Sequence, residues 1–301
     1  MKVNKCYLML MFMVSIFSIS QLYASELSWI KWGSNMSQDI SGMVALSENE
    51  FLIVHDNKGP NEPRLGIIKM YSRDSLSYSP LAWPEGQKAP RDFESICRFP
   101  DNKNEFLMVN SFREGIYFTL NENRSQIIIK KQFKVPVPFA QKANIEGFSV
   151  WKQNGEWYAA WADRGRNKYP GILIWAKLDL ESEKDVFGSM NSTTIEVPYP
   201  TLDRVRHISD IRVDSKGYLY ITSASKGSND GPFDSAFYFA GKFTSKNKTL
   251  IFNHVGELVP LYRTPGYKIE AFDMVPGPNG GLCFATDNEK EGSFLYISWI
   301  N

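Results

Sequence analysis

The sequence predicts an all-β chain folded as a five-bladed propeller, and three observations carry that reading. A short motif, a polar opening to an apolar strand, recurs five times: Asp39-Ile40-Ser41-Gly42, Asp92-Phe93-Glu94-Ser95, Asn144-Ile145-Glu146-Gly147, His207-Ile208-Ser209-Asp210 and Lys268-Ile269-Glu270-Ala271. Aligned on the second residue, the motifs start at 40, 93, 145, 208 and 269, so the intervals are 53, 52, 63 and 61 residues. Periods of that size belong to a radial array of small sheets. The last repeat also stops one strand short at Asn301, while a spare strand, Leu27 to Trp32, precedes the first motif. Pairing the spare strand onto the last blade closes the ring.

Within each repeat the order of elements is constant. An opening strand (Met43 to Leu46, Ile96 to Phe99, Phe148 to Trp151, Ile211 to Val213, Phe272 to Val275) leads through a polar turn to a second strand (Phe51 to His55, Phe106 to Asn110, Trp157 to Ala162, Tyr218 to Ser223, Leu282 to Thr286). These are apolar and rich in β-branched or aromatic residues, as expected of strands covered on both faces. A third strand follows a polar loop. A more polar fourth strand, such as Gln126 to Lys134 or Thr193 to Val197, fits a blade's outer edge, where charge discourages stray pairing. The alternative is a six-bladed ring, with the extra blade in the long interval between 146 and 208.

Length and charge narrow the functional classes. The chain has 301 residues, 43% hydrophobic and 14% aromatic, enough for a large core in a single domain spanning 25–301. Residues 1–24 read as a secretory signal: Lys2 and Lys5 lead, Tyr7 to Ile19 is mostly apolar, and Leu22-Tyr23-Ala24 ends in a small residue. The apolar run is too short to span a bilayer, so a secreted or periplasmic protein is expected, with no integral membrane segment after cleavage. Removing the leader takes the net charge from +1 to about −1. That balance argues against nucleic acid as a partner, and a monomer is expected. Cys97 and Cys283 remain in the exported chain, in repeats that are not neighbours in the ring, so no disulfide is expected between them. Asn35, Asn123, Asn191 and Asn247 each sit in a glycosylation sequon.

In a propeller the opening strands line the central channel, and the loops between second and third strands return to the same face. One mouth therefore collects the third motif residue of every blade, Ser41, Glu94, Glu146, Ser209 and Glu270, and a set of loop polar groups. Three glutamates converging there repel one another, and a divalent cation removes the conflict. Carboxylate and hydroxyl oxygens without thiols favour a hard ion, Ca²⁺ above all. The alternative is a solvated set of glutamates neutralised by His207, Lys268 or a nearby arginine. Asp39, Asp92 and Asp163 are candidate general bases. Asp56, Asn57, Arg113, Arg164, Arg166, Lys226, Asp287 and Asn288 are candidates for holding substrate.

The column Ser41, Glu94, Glu146, Ser209, Glu270 resembles that of the secreted calcium-activated nucleotidases, or apyrases, five-bladed propellers whose central calcium is ringed in the order Ser, Glu, Glu, Ser, Glu. The first blade is also similar, with Ser41-Gly42, the loop His55-Asp56-Asn57-Lys58 and a third strand opening Leu65-Gly66-Ile67. The family's Asp-Asp-Arg loop is represented by Asp56 with Lys58 or Arg64, and its Cys-Trp-Ser-Asp stretch has no counterpart. The Ile-Glu-Gly repeats are equally similar to phytase-like and esterase-like propellers. The resemblance implies a Ca²⁺-dependent phosphohydrolase acting on a small phosphorylated compound such as a nucleotide or inositol phosphate. A second expectation is a non-catalytic module with a structural ion, binding a glycan or protein through Tyr169, Phe233 and Trp83. A third is a glycosidase using two of the glutamates. No serine-hydrolase elbow, Walker loop, dinucleotide fingerprint or zinc spacing is present.

Overall fold

The computed structural model describes residues 27–139, 143–201, 203–225, 231–247, 249–275 and 280–298; the leader at 1–24 and Lys226 lie outside them. Strand β1 (Trp29–Lys31) is followed by the first blade, β2 (Gly42–Ala45), β3 (Glu50–Val54), β4 (Leu65–Ser72) and β5 (Ser75–Pro80). The second blade is β6 (Phe93–Arg98), β7 (Glu105–Asn110), β8 (Glu114–Leu120) and β9 (Ile127–Lys134). The third is β10 (Ile145–Gln153), β11 (Glu156–Asp163), β12 (Gly171–Lys177) and β13 (Asn191–Ile195). The fourth is β14 (Val205–Val213), β15 (Tyr218–Ser225), β16 (Asp234–Lys246) and β17 (Thr249–His254), with β18 (Pro260–Pro265) also paired to β16. The fifth is β19 (Ile269–Met274), β20 (Leu282–Thr286), β21 (Phe294–Ile297) and, on its rim, β1.

The ring closes as the spare strand requires. β1 runs antiparallel to β21 with Trp29 opposite Tyr296 and Lys31 opposite Phe294, and Trp29 stacks on Tyr267 at 4.2 Å between centroids. There are five blades, not six. The long third interval is filled by a crossing segment bridged at Leu178–Phe187, whose Phe187 packs on Trp161 at 4.9 Å. The fourth interval is lengthened by β18.

Burial follows from each strand's place in its sheet. Phe51 to Val54 of β3 are all buried, because an inner strand is covered on both faces. β9, on a rim, is buried only at Ile127 and otherwise alternates exposed and half-buried residues. The core is accordingly divided into five wedges, one between each pair of adjacent blades. Each fully buried aromatic or aliphatic side chain there stabilises the fold by about 1.5–3 kcal/mol.

The five innermost strands leave their axial edges unpaired, and an unpaired buried amide or carbonyl is costly. Side chains of one blade therefore reach the backbone of the next. Ser95 Oγ accepts from Phe148 N (2.9 Å), Ser149 Oγ from Val213 N (2.9 Å), Asp210 Oδ2 from Phe272 N (3.1 Å) and Asp273 Oδ2 from Ala45 N (2.8 Å). The carbonyls are taken by one side chain. Arg212 donates to Met43 O (2.7 Å), Ile96 O (2.9 Å), Phe148 O (3.5 Å) and Ile211 O (2.7 Å), and pairs with Asp210 Oδ1 at 3.0 Å. Its guanidinium thus lies on the axis, bonded to four blades, and reaches Asp273 of the fifth at 3.6 Å. It plugs the channel two to three residues below the motif level.

In the first and third blades the strand approaches its neighbour so closely at the motif that a side chain does not fit beside it. A Cβ at Gly147 would stand 2.8 Å from Ile211 N, and one at Gly42 3.0 Å from Ile96 N. That is why glycine follows Ser41 and Glu146.

Candidate functional site

The three glutamates reach the axis through an irregularity in their strands. In β6 the ladder passes from Phe93–Asn110 to Ser95–Val109, skipping Glu94; in β10 it skips Glu146, and in β19 it skips Glu270. A bulge leaves one residue unpaired and bends the strand, re-aiming its side chain. A carboxylate oxygen from each of Glu94, Glu146 and Glu270 lies within 4.8 Å of the other two. In β14 the skip is longer, from Arg206–Ala224 to Asp210–Thr222, and it carries Arg206 to the same place.

The two serines of the column differ. Ser209 Oγ is engaged with the Ile269 carbonyl (2.8 Å) and Thr222 Oγ1 (3.0 Å). Ser41 Oγ is buried with no hydrogen-bond partner, as is Oδ1 of Asp39.

Cations from the same face partly neutralise the glutamates. Arg164 contacts Glu146 Oε1 at 2.9 Å, Arg206 contacts Glu270 Oε1 at 2.6 Å, and Lys268 lies 3.2 Å from Glu270, 2.6 Å from Asp287 and 2.7 Å from Glu289. Lys58 bridges Asp92 (2.9 Å) and Asp56 (3.5 Å). With Asp39, Asp56, Asp92, Asp287 and Glu289 beside the trio, eight carboxyl groups meet four cations, Lys58, Arg164, Arg206 and Lys268. The surplus of negative charge shows in the protonation equilibria. Burial, then Glu146, Asp92 and Glu270, hold the Glu94 carboxyl well above the usual range. Burial pushes Glu270 up to about 8 against the pull of Lys268. Burial and Asp287 push Asp39 up to about 11, so the pair shares one proton. Burial and Asp287 also raise Asp56 to about 6.

The other expected residues fall into three groups. Asp163 accepts from Asn144 N (2.7 Å) and Gly165 N (3.1 Å), Asn57 donates to the Ser37 and Pro63 carbonyls, and Asn288 braces Lys268 N and Gly266 O; these shape loops. Asp92, with a left-handed φ of 67°, accepts from Ser111 Oγ and pairs with Lys58. Arg113 is half-buried and Arg166 exposed. His207 is fully buried; its Nε2 donates to Asn167 O (2.7 Å) and its Nδ1 accepts from Val197 N. It braces a loop and does not reach the carboxylates. Of the three aromatics expected to stack on a ligand, Phe233 is buried in the core and Trp83 packs on Phe93; Tyr169 is 61% exposed. Cys97 and Cys283 are buried free thiols. Arg206 was not among the expected residues, and Lys58 was expected only as the basic counterpart in the Asp56 loop. Arg206 precedes its motif, where the bulge hides its direction.

No family model matches this chain, and no curated protein sequence does. Solved structures match in fold. The α-L-arabinofuranosidase PaAbf62A from Podospora anserina, in complex with cellotriose, aligns with a TM-score of 0.54 at 10% identity over 90% of this chain and 96% of that one. The catalytic domain of the Coprinopsis cinerea GH62 α-L-arabinofuranosidase gives 0.53 at 11%, over 90% and 97%. The α-L-arabinofuranosidase from Lactobacillus brevis gives 0.51 at 7%, over 89% and 92%. These named neighbours are glycoside hydrolases rather than nucleotidases or phytases, and at such identities what is shared is the five-bladed ring.

Proposed function

We propose that the protein is a hydrolase of a small phosphorylated compound, dependent on a calcium ion held by Glu94, Glu146, Glu270 and Ser41 at the mouth of the axis. The observation that carries this reading is the convergence of three carboxylates within 4.8 Å, with the hydroxyl at the same motif position of the first blade, Ser41, buried and without a partner. The donors are all oxygen, which suits a hard cation tolerant of irregular geometry. Arg212 already joins the blades, so an ion above it is not needed to pin the ring. Bound there, the ion supplies Lewis acidity and neutralises phosphoryl charge.

The chain's own residues supply the rest. Arg164 and Arg206, each touching a glutamate of the trio, and the exposed Lys58 can donate charge-assisted hydrogen bonds to phosphoryl oxygens. Asp92, held by Lys58 and Ser111, takes the proton from water. A second reading, hydrolysis of a glycan, draws on the neighbours' recorded activity and on the cellotriose in one of them.

The test combines metal analysis with turnover. The exported protein is expected to carry one calcium, lost to chelator, and to release phosphate from nucleoside diphosphates or partly phosphorylated sugars only when calcium is restored. Release of arabinose from an aryl arabinofuranoside, indifferent to chelator, would replace this reading with the glycan one.

A further inference from the structure

The loop joining β11 to β12 carries a second feature of the same face. Arg166 and Tyr169 pair through both backbone bonds, Arg166 N to Tyr169 O at 2.8 Å and Tyr169 N to Arg166 O at 2.9 Å. Gly165 (φ 60°) turns the chain where a Cβ would meet the Pro170 and Gly171 backbone at 2.4 Å. The tip is anchored to the fourth blade by Asn167 N to Val205 O (2.9 Å) and by His207 Nε2. Tyr169 is therefore an exposed aromatic ring on a fixed backbone, and a cavity of about 570 Å³ lies against it, lined by Asn167, Lys168, Tyr169 and Asp203.

The cavity is continuous in the chain with the axial site on both sides. The same loop begins at Arg164, which holds Glu146, and the strand anchoring its tip carries Arg206, which holds Glu270. Asp163 pairs with Ile145 at the foot of the Glu146 bulge. Val205, which holds Asn167 at the tip, is the chain neighbour of Arg206, so a single residue step joins the tip's anchor to a side chain of the axial site.

We propose that Tyr169 and its cavity form a rim subsite for the uncharged ring of the substrate whose phosphoryl group occupies the axial site. The proposal rests on the phosphohydrolase reading and sharpens it. A ring with a bare apolar face stacks on Tyr169, while Asn167 and Asp203 offer hydrogen bonds to its edge. Nucleobases and pyranoses both present such a face; a ring phosphorylated at every position does not and is excluded.

The experiment uses Tyr169→Ala and Tyr169→Phe with a nucleoside diphosphate, a hexose phosphate and inositol hexakisphosphate as substrates, and inorganic phosphate as a ring-free competitor. Tyr169→Ala is expected to raise KM for the preferred ring-bearing substrate roughly tenfold, leaving kcat, calcium content and the inhibition constant of inorganic phosphate unchanged. Tyr169→Phe is expected to restore KM. Whichever of the first two compounds shows the effect identifies the ring. An equal loss of affinity for inorganic phosphate, or no change for either ring-bearing compound, overturns the subsite. If the protein proves to have no phosphatase activity, ring binding is read instead from nuclear magnetic resonance shifts on titrating adenosine or methyl glucoside. A titration lost in Tyr169→Ala upholds the subsite without the phosphoryl site, and none in the parent protein removes it.

Discussion

The two levels of the axial channel are made by the same five strands and treat charge in opposite ways. At the floor, Arg212 is surrounded by backbone carbonyls and paired with Asp210 and Asp273. Burial pushes the Asp210 carboxyl up to about 7 against the pull of Arg212, and amides of Ile211 and Phe272 also bond it. Three residues higher, the carboxyl groups outnumber their cations, and Ser41 and Asp39 each hold a buried oxygen without a partner. A buried charge is tolerated when its bonds are satisfied. The floor comes close to that condition with the chain alone, only Arg212 Nε lacking a hydrogen bond while it faces Asp273 Oδ1 at 3.6 Å; the mouth does not, and in that difference the structural part of the axis separates from the candidate functional part.

The largest expected effect breaks the floor. Arg212→Met leaves Asp210 as an uncompensated buried charge and frees the carbonyls of three neighbouring blades, a cost of about 3–5 kcal/mol. Chemical denaturation should show the midpoint falling accordingly, in calcium and in chelator alike. A variant as stable as the parent would mean that the channel is not pinned there.

A smaller effect separates the mouth. Glu270 titrates at about 8 in the fold against 4.5 in its ordinary state. A raised acid stabilises the fold while protonated, so that contribution is present below 4.5 and is lost as pH rises through about 8. Above 6.5, His55, which burial lowers to about 4, is neutral in the fold and loses only its remaining unfolded-state protonation, adding a small slope of the opposite sign. Between pH 6.5 and 8 the Glu270 share of the loss in chelator is about 2 kcal/mol, and Asp39 and Glu94, raised by the same burial, add to it. Added calcium should flatten that slope, and Glu270→Gln should reduce it. Melting temperatures across the interval check it, and a slope unaffected by both would deny the carboxylates a part in the equilibrium.

The smallest effect lies at the rim of the mouth. Lys58 is exposed, and its bonds to Asp56 and Asp92 are worth about 0–1 kcal/mol, so Lys58→Ala should leave the melting temperature within a degree or two. Inhibition by inorganic phosphate should weaken several-fold if Lys58 meets the phosphoryl group, and stay constant if it only covers Asp92.

The ring was legible in the sequence because a propeller writes its motif once per blade, and the missing strand at one end matched the spare strand at the other. The glutamate column was legible for the same reason. The floor was not, although Ile211-Arg212-Val213 places a lone arginine in an otherwise buried strand, a signal that could have been followed. Arg206 was hidden by the long irregularity in β14, across which alternation no longer tells which way a side chain faces. β18 was missed because Pro260 and Pro265 bound it and it shares the rim of its blade with β17, pairing with the other end of β16. The interval that invited a sixth blade instead holds Phe187 and its neighbours, which lie over the wedge between the second and third blades.

With Arg212 filling the axis, the propeller has no through-passage. Whatever enters the carboxylate chamber must back out by the door it came in through, past Arg164 and Arg206. If the chamber works as the proposed phosphohydrolase site, a released anion held there would stand in the way of the next molecule, and inhibition by that product would be of the competitive kind.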